Sequence, residues 1–160
     1  MSPYCSNPQK IPKMNCKETL FDYITSIEAY PFSGVSDTMT MGIHQKHVKE
    51  EELGLDTSRK TVVPMRPKSG SLSEKTSIET AGQSYTVTVS WQIRFVGNDT
   101  YKVLEDLNEY PKHLILRTYG EGGYFIRCEE NGYSFSYQEN DGVMDCELTL
   151  HNGSGAQRIL

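Results

Sequence analysis

Residues 84–95 read Ser-Tyr-Thr-Val-Thr-Val-Ser-Trp-Gln-Ile-Arg-Phe, apolar and polar by turns over the whole stretch. Tyr85, Val87, Val89, Trp91, Ile93 and Phe95 fall on one side, and Thr86, Thr88, Ser90, Gln92 and Arg94 on the other. That is the period of two expected of a strand buried on one face only. A strand of about twelve residues runs about 40 Å, roughly twice the ordinary length, so it crosses the domain and can project beyond it. Trp91 alternates in phase with Val87, Val89 and Ile93, which assigns it to the core face.

Downstream, "GNDTYKVLEDLNEYP" places Tyr101, Leu104 and Leu107 at helical spacing with Pro111 as the stop, which predicts a helix over 99–110. "KHLILRTYG", "GYFIRCEE", "YSFSYQE" and "VMDCELTLHN" then read as strands. Gly120 to Gly123, Asn131-Gly132 and Asn140-Asp141-Gly142 supply the turns. Tyr133, Phe135 and Tyr137 share one face, as do Met144, Cys146, Leu148 and Leu150. Strand, helix and antiparallel meander define an α+β chain that is mainly β, an antiparallel sandwich or open barrel with one packed helix.

Upstream, Asn15 with Glu18 forms a capping pair, Leu20, Phe21, Ile24 and Ile27 make a stripe, and Pro31 is a stop. This predicts an amphipathic helix over 16–30. A short alternating piece around Met39 and Met41 then passes into a charged helix or loop. Residues 57–84 are rich in Ser, Thr, Lys, Pro and Gly, with only "TVVPM" strand-like. Long segments with little to bury are commonly functional or disordered. The expected organisation is an N-terminal helix and charged segment in 1–56, an extended loop or arm in 57–84, and a β core in 85–160.

A chain of 160 residues fits one domain. A net charge of −5 and a pI near 5.4 give no basic footprint for sequence-specific nucleic-acid binding or an anionic membrane. The first residues show no secretory signal and no run approaches a membrane span, so the expected site of synthesis is the cytoplasm. Cys5, Cys16, Cys128 and Cys146 lack C-x-x-C spacing, and reduced thiols are expected, Cys128 and Cys146 as small core residues.

No catalytic signature stands out. His44 and His47 are three apart beside Glu50 to Glu52 but lack the zincin spacing and a third ligand, so a solvated charged run is the simpler reading. "GEGG" at 120–123 has strands on both sides, which suits a hairpin rather than a phosphate cradle. The histidines, with His113 and His151, accompany no G-x-S-x-G elbow. Glu129 with Glu130, and Asp145 with Glu147, read as solvated acids. Asn98 reads as a helix cap and Asn152 as a turn residue. No cofactor or metal is expected.

Thr86, Thr88, Ser90 and Gln92 make a polar, uncharged face suited to an identical neighbour or a water-filled lumen, and a strand that outruns its domain carries an edge that pairs with other chains. The order of segments resembles the small subunits of tailed-bacteriophage tail tubes and of related neck and tail-completion rings. The likeness covers residues 57–160, resting on "SYTVTVSWQIRFVGNDTYKVLEDLNEY" and the meander through "CELTLHNGSGAQRIL". It implies a non-enzymatic virion protein whose long strands and extended arm join copies of itself into a ring, with neighbouring virion proteins above and below. With Thr86, Thr88, Ser90 and Gln92, the assembly residues expected on this reading are Ser69, Ser71, Leu72, Ile78, Arg158, Ile159 and Leu160, with 57–84 and "AQRIL" ordering on assembly. The alternatives are a monomeric carbohydrate- or protein-binding β-module using exposed tyrosines such as Tyr119, Tyr124 and Tyr137, and a small hydrolase.

Overall fold

Residues 82–93 form one uninterrupted twelve-residue strand, and the structure builds a two-sheet sandwich around it. The structure is a computed structural model, and it describes residues 23–32, 47–79, 82–94, 97–120 and 122–160. The strands in chain order are β1 (Ile24–Pro31), β2 (His47–Val48), β3 (Thr61–Val63), β4 (Ser71–Glu79), β5 (Gly82–Ile93), β6 (Lys112–Thr118), β7 (Gly123–Ile126), β8 (Tyr133–Asn140), β9 (Val143–Asn152) and β10 (Ala156–Ile159). A single helix among the described residues, α1 (Asn98–Glu109), joins β5 to β6. One sheet has the order β4-β5-β9-β8, and the other has the order β2-β10-β7-β6-β1-β3.

Alternation dictates how the four-stranded sheet is used. Val87, Val89, Trp91 and Ile93 of β5 pair in register with Leu150, Leu148, Cys146 and Met144 of β9, and all eight are buried. They meet Ile27, Ala29, Leu114, Leu116 and Ile126 of the six-stranded sheet, with Leu104 and Leu107 of α1 packed into the same core. Burying an apolar side chain of this size contributes about 1.5–3 kcal/mol, so this interior is the main source of stability. Trp91 stacks on Phe135 at 5.9 Å between ring centroids. The Tyr133 hydroxyl donates to the Leu107 carbonyl at the end of α1, tying β8 to the helix.

Turn chemistry sets the register. Asp141 and Gly142 both have positive φ, 51° and 79°, as a two-residue type I′ hairpin requires between β8 and β9. Gly123 opens β7 so close to β6 that a side-chain carbon there would collide with the Leu116 carbonyl oxygen. Gly123 therefore serves the packing of β7 against β6.

Four expectations change. The helix expected over 16–30 is contradicted for its described part, because residues 24–31 are β1; the rest of that segment lies outside the described residues. β1 is buried on both faces, Ile27 and Ala29 toward the main core and Tyr30 toward the opposite side, which erased the alternation a one-sided strand shows. The arm expected over 57–84 is instead a short 3-10 turn (Thr57–Arg59), β3, and the β4–β5 hairpin. The "AQRIL" tail is β10, inserted between β7 and β2 within the same chain. Finally, α1 is capped by Gly97, and Asn98 is its first residue.

Candidate assembly surface

The residues expected at an interface fall in three places. Thr86, Thr88, Ser90 and Gln92 do share the solvent face of β5, but β5 is not an edge: β4 and β9 flank it over most of its length. The free edge expected of the long strand belongs to its hairpin partner, which carries Ser71, Leu72 and Ile78, with Ser69 in the turn just before it. Arg158, Ile159 and Leu160 lie apart, in and after β10. Ile159 is buried and unfit for an interface, because it packs against Val48, Ile115 and Phe125 on the far side of the six-stranded sheet.

The solvent face of the four-stranded sheet is organised in rows across the strands. Ser71, Ser90, Glu147 and Ser136 form one, and Ser73, Thr88, Thr149 and Ser134 the next. The Ser71 and Ser90 hydroxyls are hydrogen-bonded, and Thr86 Oγ1 meets His151 Nδ1 at 2.8 Å. Gln92 Nε2 and Asn140 Nδ2 donate to the two oxygens of Asp145 at 2.9 and 3.0 Å, Asn140 and Gln92 holding that carboxyl below its ordinary range. Asp145 is therefore a bonded acid rather than a merely solvated one. A shallow depression of about 400 Å³ opens here beside Ser90, Gln92, Ser136, Gln138 and Glu147.

The two edges of this sheet are the informative feature. Among the described residues no strand pairs with the outer side of β4 or of β8. Nearly all of β4 is exposed, and Ile78 near its tip shows 86% of its surface to solvent, the most exposed large apolar side chain described. The hairpin outruns its neighbours: β9 accompanies β5 only from Tyr85 onward, so Ser77–Glu79 and Gly82–Ser84 extend past it. β8 is likewise exposed from Ser136 to Asn140. Proline, a common device for blunting edges, is absent from both strands.

The other candidates resolve plainly. His44 lies outside the described residues, His47 is in β2, and among the described residues no group of three or more His, Cys, Asp or Glu is placed to hold a metal. His113 is buried between Phe32 and Phe125, its Nδ1 accepting from the Cys128 amide at 2.9 Å, and His151 bonds to Thr86. Cys128 and Cys146 are buried, and burial pushes the Cys146 thiol up to about 12. No helix among the described residues is long and apolar enough to cross a membrane. Two features escaped sequence reasoning: the open edge of β8, and a cluster of Glu28, Glu50 and Arg117 on the far sheet. The signal for the cluster was Arg117 itself, a cation inside the apolar run of β6. No family model, curated protein or solved structure matches this chain.

Proposed function

We propose that this chain is a non-enzymatic structural subunit of a phage particle, a tail tube, neck ring or tail-completion protein, that assembles with copies of itself into a ring. The observation carrying this reading is that, among the described residues, one sheet ends in two strands with no neighbour on their outer sides, β4 and β8, of nine and eight residues. Strand direction alternates across β4-β5-β9-β8, so the β4 of a second copy can lie antiparallel beside β8 and continue the sheet. Such a head-to-tail contact uses different surfaces on the two partners, which generates rings when the rotation closes.

Face matching narrows the register. Joining core side to core side and overlapping all of β8 sets Ile78 opposite Tyr133, Thr76 opposite Phe135, Glu74 opposite Tyr137 and Leu72 opposite Glu139. No like charges then face one another across the joint, and the exposed Ile78 gains an aromatic neighbour. Negative-stain electron microscopy with light scattering over a concentration series tests the reading. Rings or tubes are expected, and a monomer of 18.1 kDa at every concentration would overturn self-assembly. The second reading, a monomeric binding module, draws on the polar depression beside Gln92, Gln138 and Glu147; it requires a monomer that binds ligand there.

A further inference from the structure

The far side of the six-stranded sheet carries a second small core of Tyr30, Ile115, Phe125 and Ile159, covered by Val48 and Leu53 with Leu55 beside them. The covering segment, residues 47–60, is otherwise mostly exposed. Its regular structure is two residues of parallel strand against β10 and two single 3-10 turns, Glu50–Glu52 and Thr57–Arg59. Two buried side chains over so long a stretch are a thin attachment by apolar packing alone.

One side chain supplies the rest. Arg117, rising from β6, donates from Nη1 and Nη2 to the two carboxylate oxygens of Glu50 in the covering segment. Its Nε and Nη2 also donate to Glu28 of β1, at 3.2 and 3.1 Å, and the Tyr30 hydroxyl donates to Glu28 at 2.8 Å. Glu28 is fixed on the sheet, so a single guanidinium joins a carboxylate of the sheet to one of the segment lying over it. Without that cation, two acids would face each other across the contact and repel. Lys60 is the other cation near both.

We propose that residues 47–60 are a strap fastened by Arg117, which opens as a unit and uncovers the Tyr30, Ile115, Phe125 and Ile159 surface while the two-sheet core stays folded. Opening by contiguous units of low local stability is general in proteins, and a segment with few buried contacts is where it is expected. The asymmetry of the cluster makes the idea specific: Arg117 is the fastener, whereas Glu28 neutralised still leaves Arg117 bound to Glu50.

Native-state hydrogen exchange on the intact chain is the test. The amides of Glu52 and Leu53, which close the first 3-10 turn, and of Leu160, which donates to the Val48 carbonyl from outside the strap, report its opening. In the parent these should exchange well before amides of β5 and β9. In Arg117→Gln they should exchange at least about ten-fold faster, the effect of losing an ion pair of order 1.4 kcal/mol, with β5 and β9 amides unchanged relative to global unfolding. Glu50→Gln, a substitution on the exposed strap that threatens no core, should act in the same direction, and Glu28→Gln should act least. Exchange of the three reporters at the rate of β5 in the parent, or the same reporter rates in Glu50→Gln as in the parent, would overturn the proposal.

Discussion

Replacing Ile78 by aspartate separates the fold from the assembly. With 86% of its surface in solvent, Ile78 contributes almost nothing to the isolated chain. Surface changes of this kind alter stability by less than about 0.5 kcal/mol, a melting shift below roughly 2 °C for a chain of this size. In the proposed contact the same side chain is covered by Tyr133 of the next copy. Burying an isoleucine contributes about 1.5–3 kcal/mol, so the exposed share forfeited is about 1.3–2.6 kcal/mol per contact, and the desolvated carboxylate adds to the loss. Each joint should weaken by at least about ten-fold. Differential scanning fluorimetry on dilute protein and sedimentation velocity across concentrations read the two halves separately. A melting temperature lower by more than about 5 °C would show that Ile78 belongs to the monomer core, and unchanged association would remove the hairpin from the interface.

Leu148→Ala, by contrast, opens a cavity at the centre of β9 and should cost about 2–5 kcal/mol in urea unfolding. Gly123→Ala should destabilise the chain by more than an ordinary surface change, since the added carbon meets the Leu116 carbonyl; equal stability by chemical denaturation would contradict that packing. Burial tends to raise the Glu28 carboxyl, but its bonds from Arg117 and Tyr30 prevail, and Arg117 likewise holds Glu50 low, so both lie below the ordinary 4.5. Their contribution is therefore present above that pH and lost as pH falls through the lowered values, which thermal unfolding from pH 7 to 3 should trace, with the acid slope reduced in Arg117→Gln. Cys146, buried with its thiol pushed up to about 12, should resist iodoacetamide at pH 8 in peptide-resolved labelling and react once urea unfolds the chain.

The elements legible in the sequence are those with one buried face. β5 and β9 alternate because one side meets the core and the other water, as β8 does at Tyr133 and Phe135, and α1 shows its stripe for the same reason. β1 reads as a helix in the sequence because its burial on both sides mixes Ile24 and Ile27 with Glu28 and Tyr30 in an order that a helix also satisfies. β4 is silent in the sequence for the opposite reason: with Ile78 exposed and only Leu72 touching the core, it carries no apolar pattern, and pairing with β5 alone makes it a strand. β10 is four residues long and is specified by partners distant in sequence. The polar face at Thr86, Thr88, Ser90 and Gln92 was readable, but the edges were not, because an edge is defined by which strands are missing beside it.

The six-stranded sheet joins early and late parts of the chain, with Ile27 opposite Leu116 and Arg158 opposite His47. During synthesis, β1 leaves the ribosome long before β6 exists, and β2 long before β10. The β4–β5 hairpin and the β8–β9 hairpin are local and can close as soon as they are made, whereas the strands that cover them, β1, β3, β6 and β7, come from separate stretches ending at residue 126. Until β9 is made at residues 143–152, the apolar side chains of β5, β1, β6 and β7 lack part of their common core, so the nascent protein carries an incomplete sandwich in need of protection from aggregation.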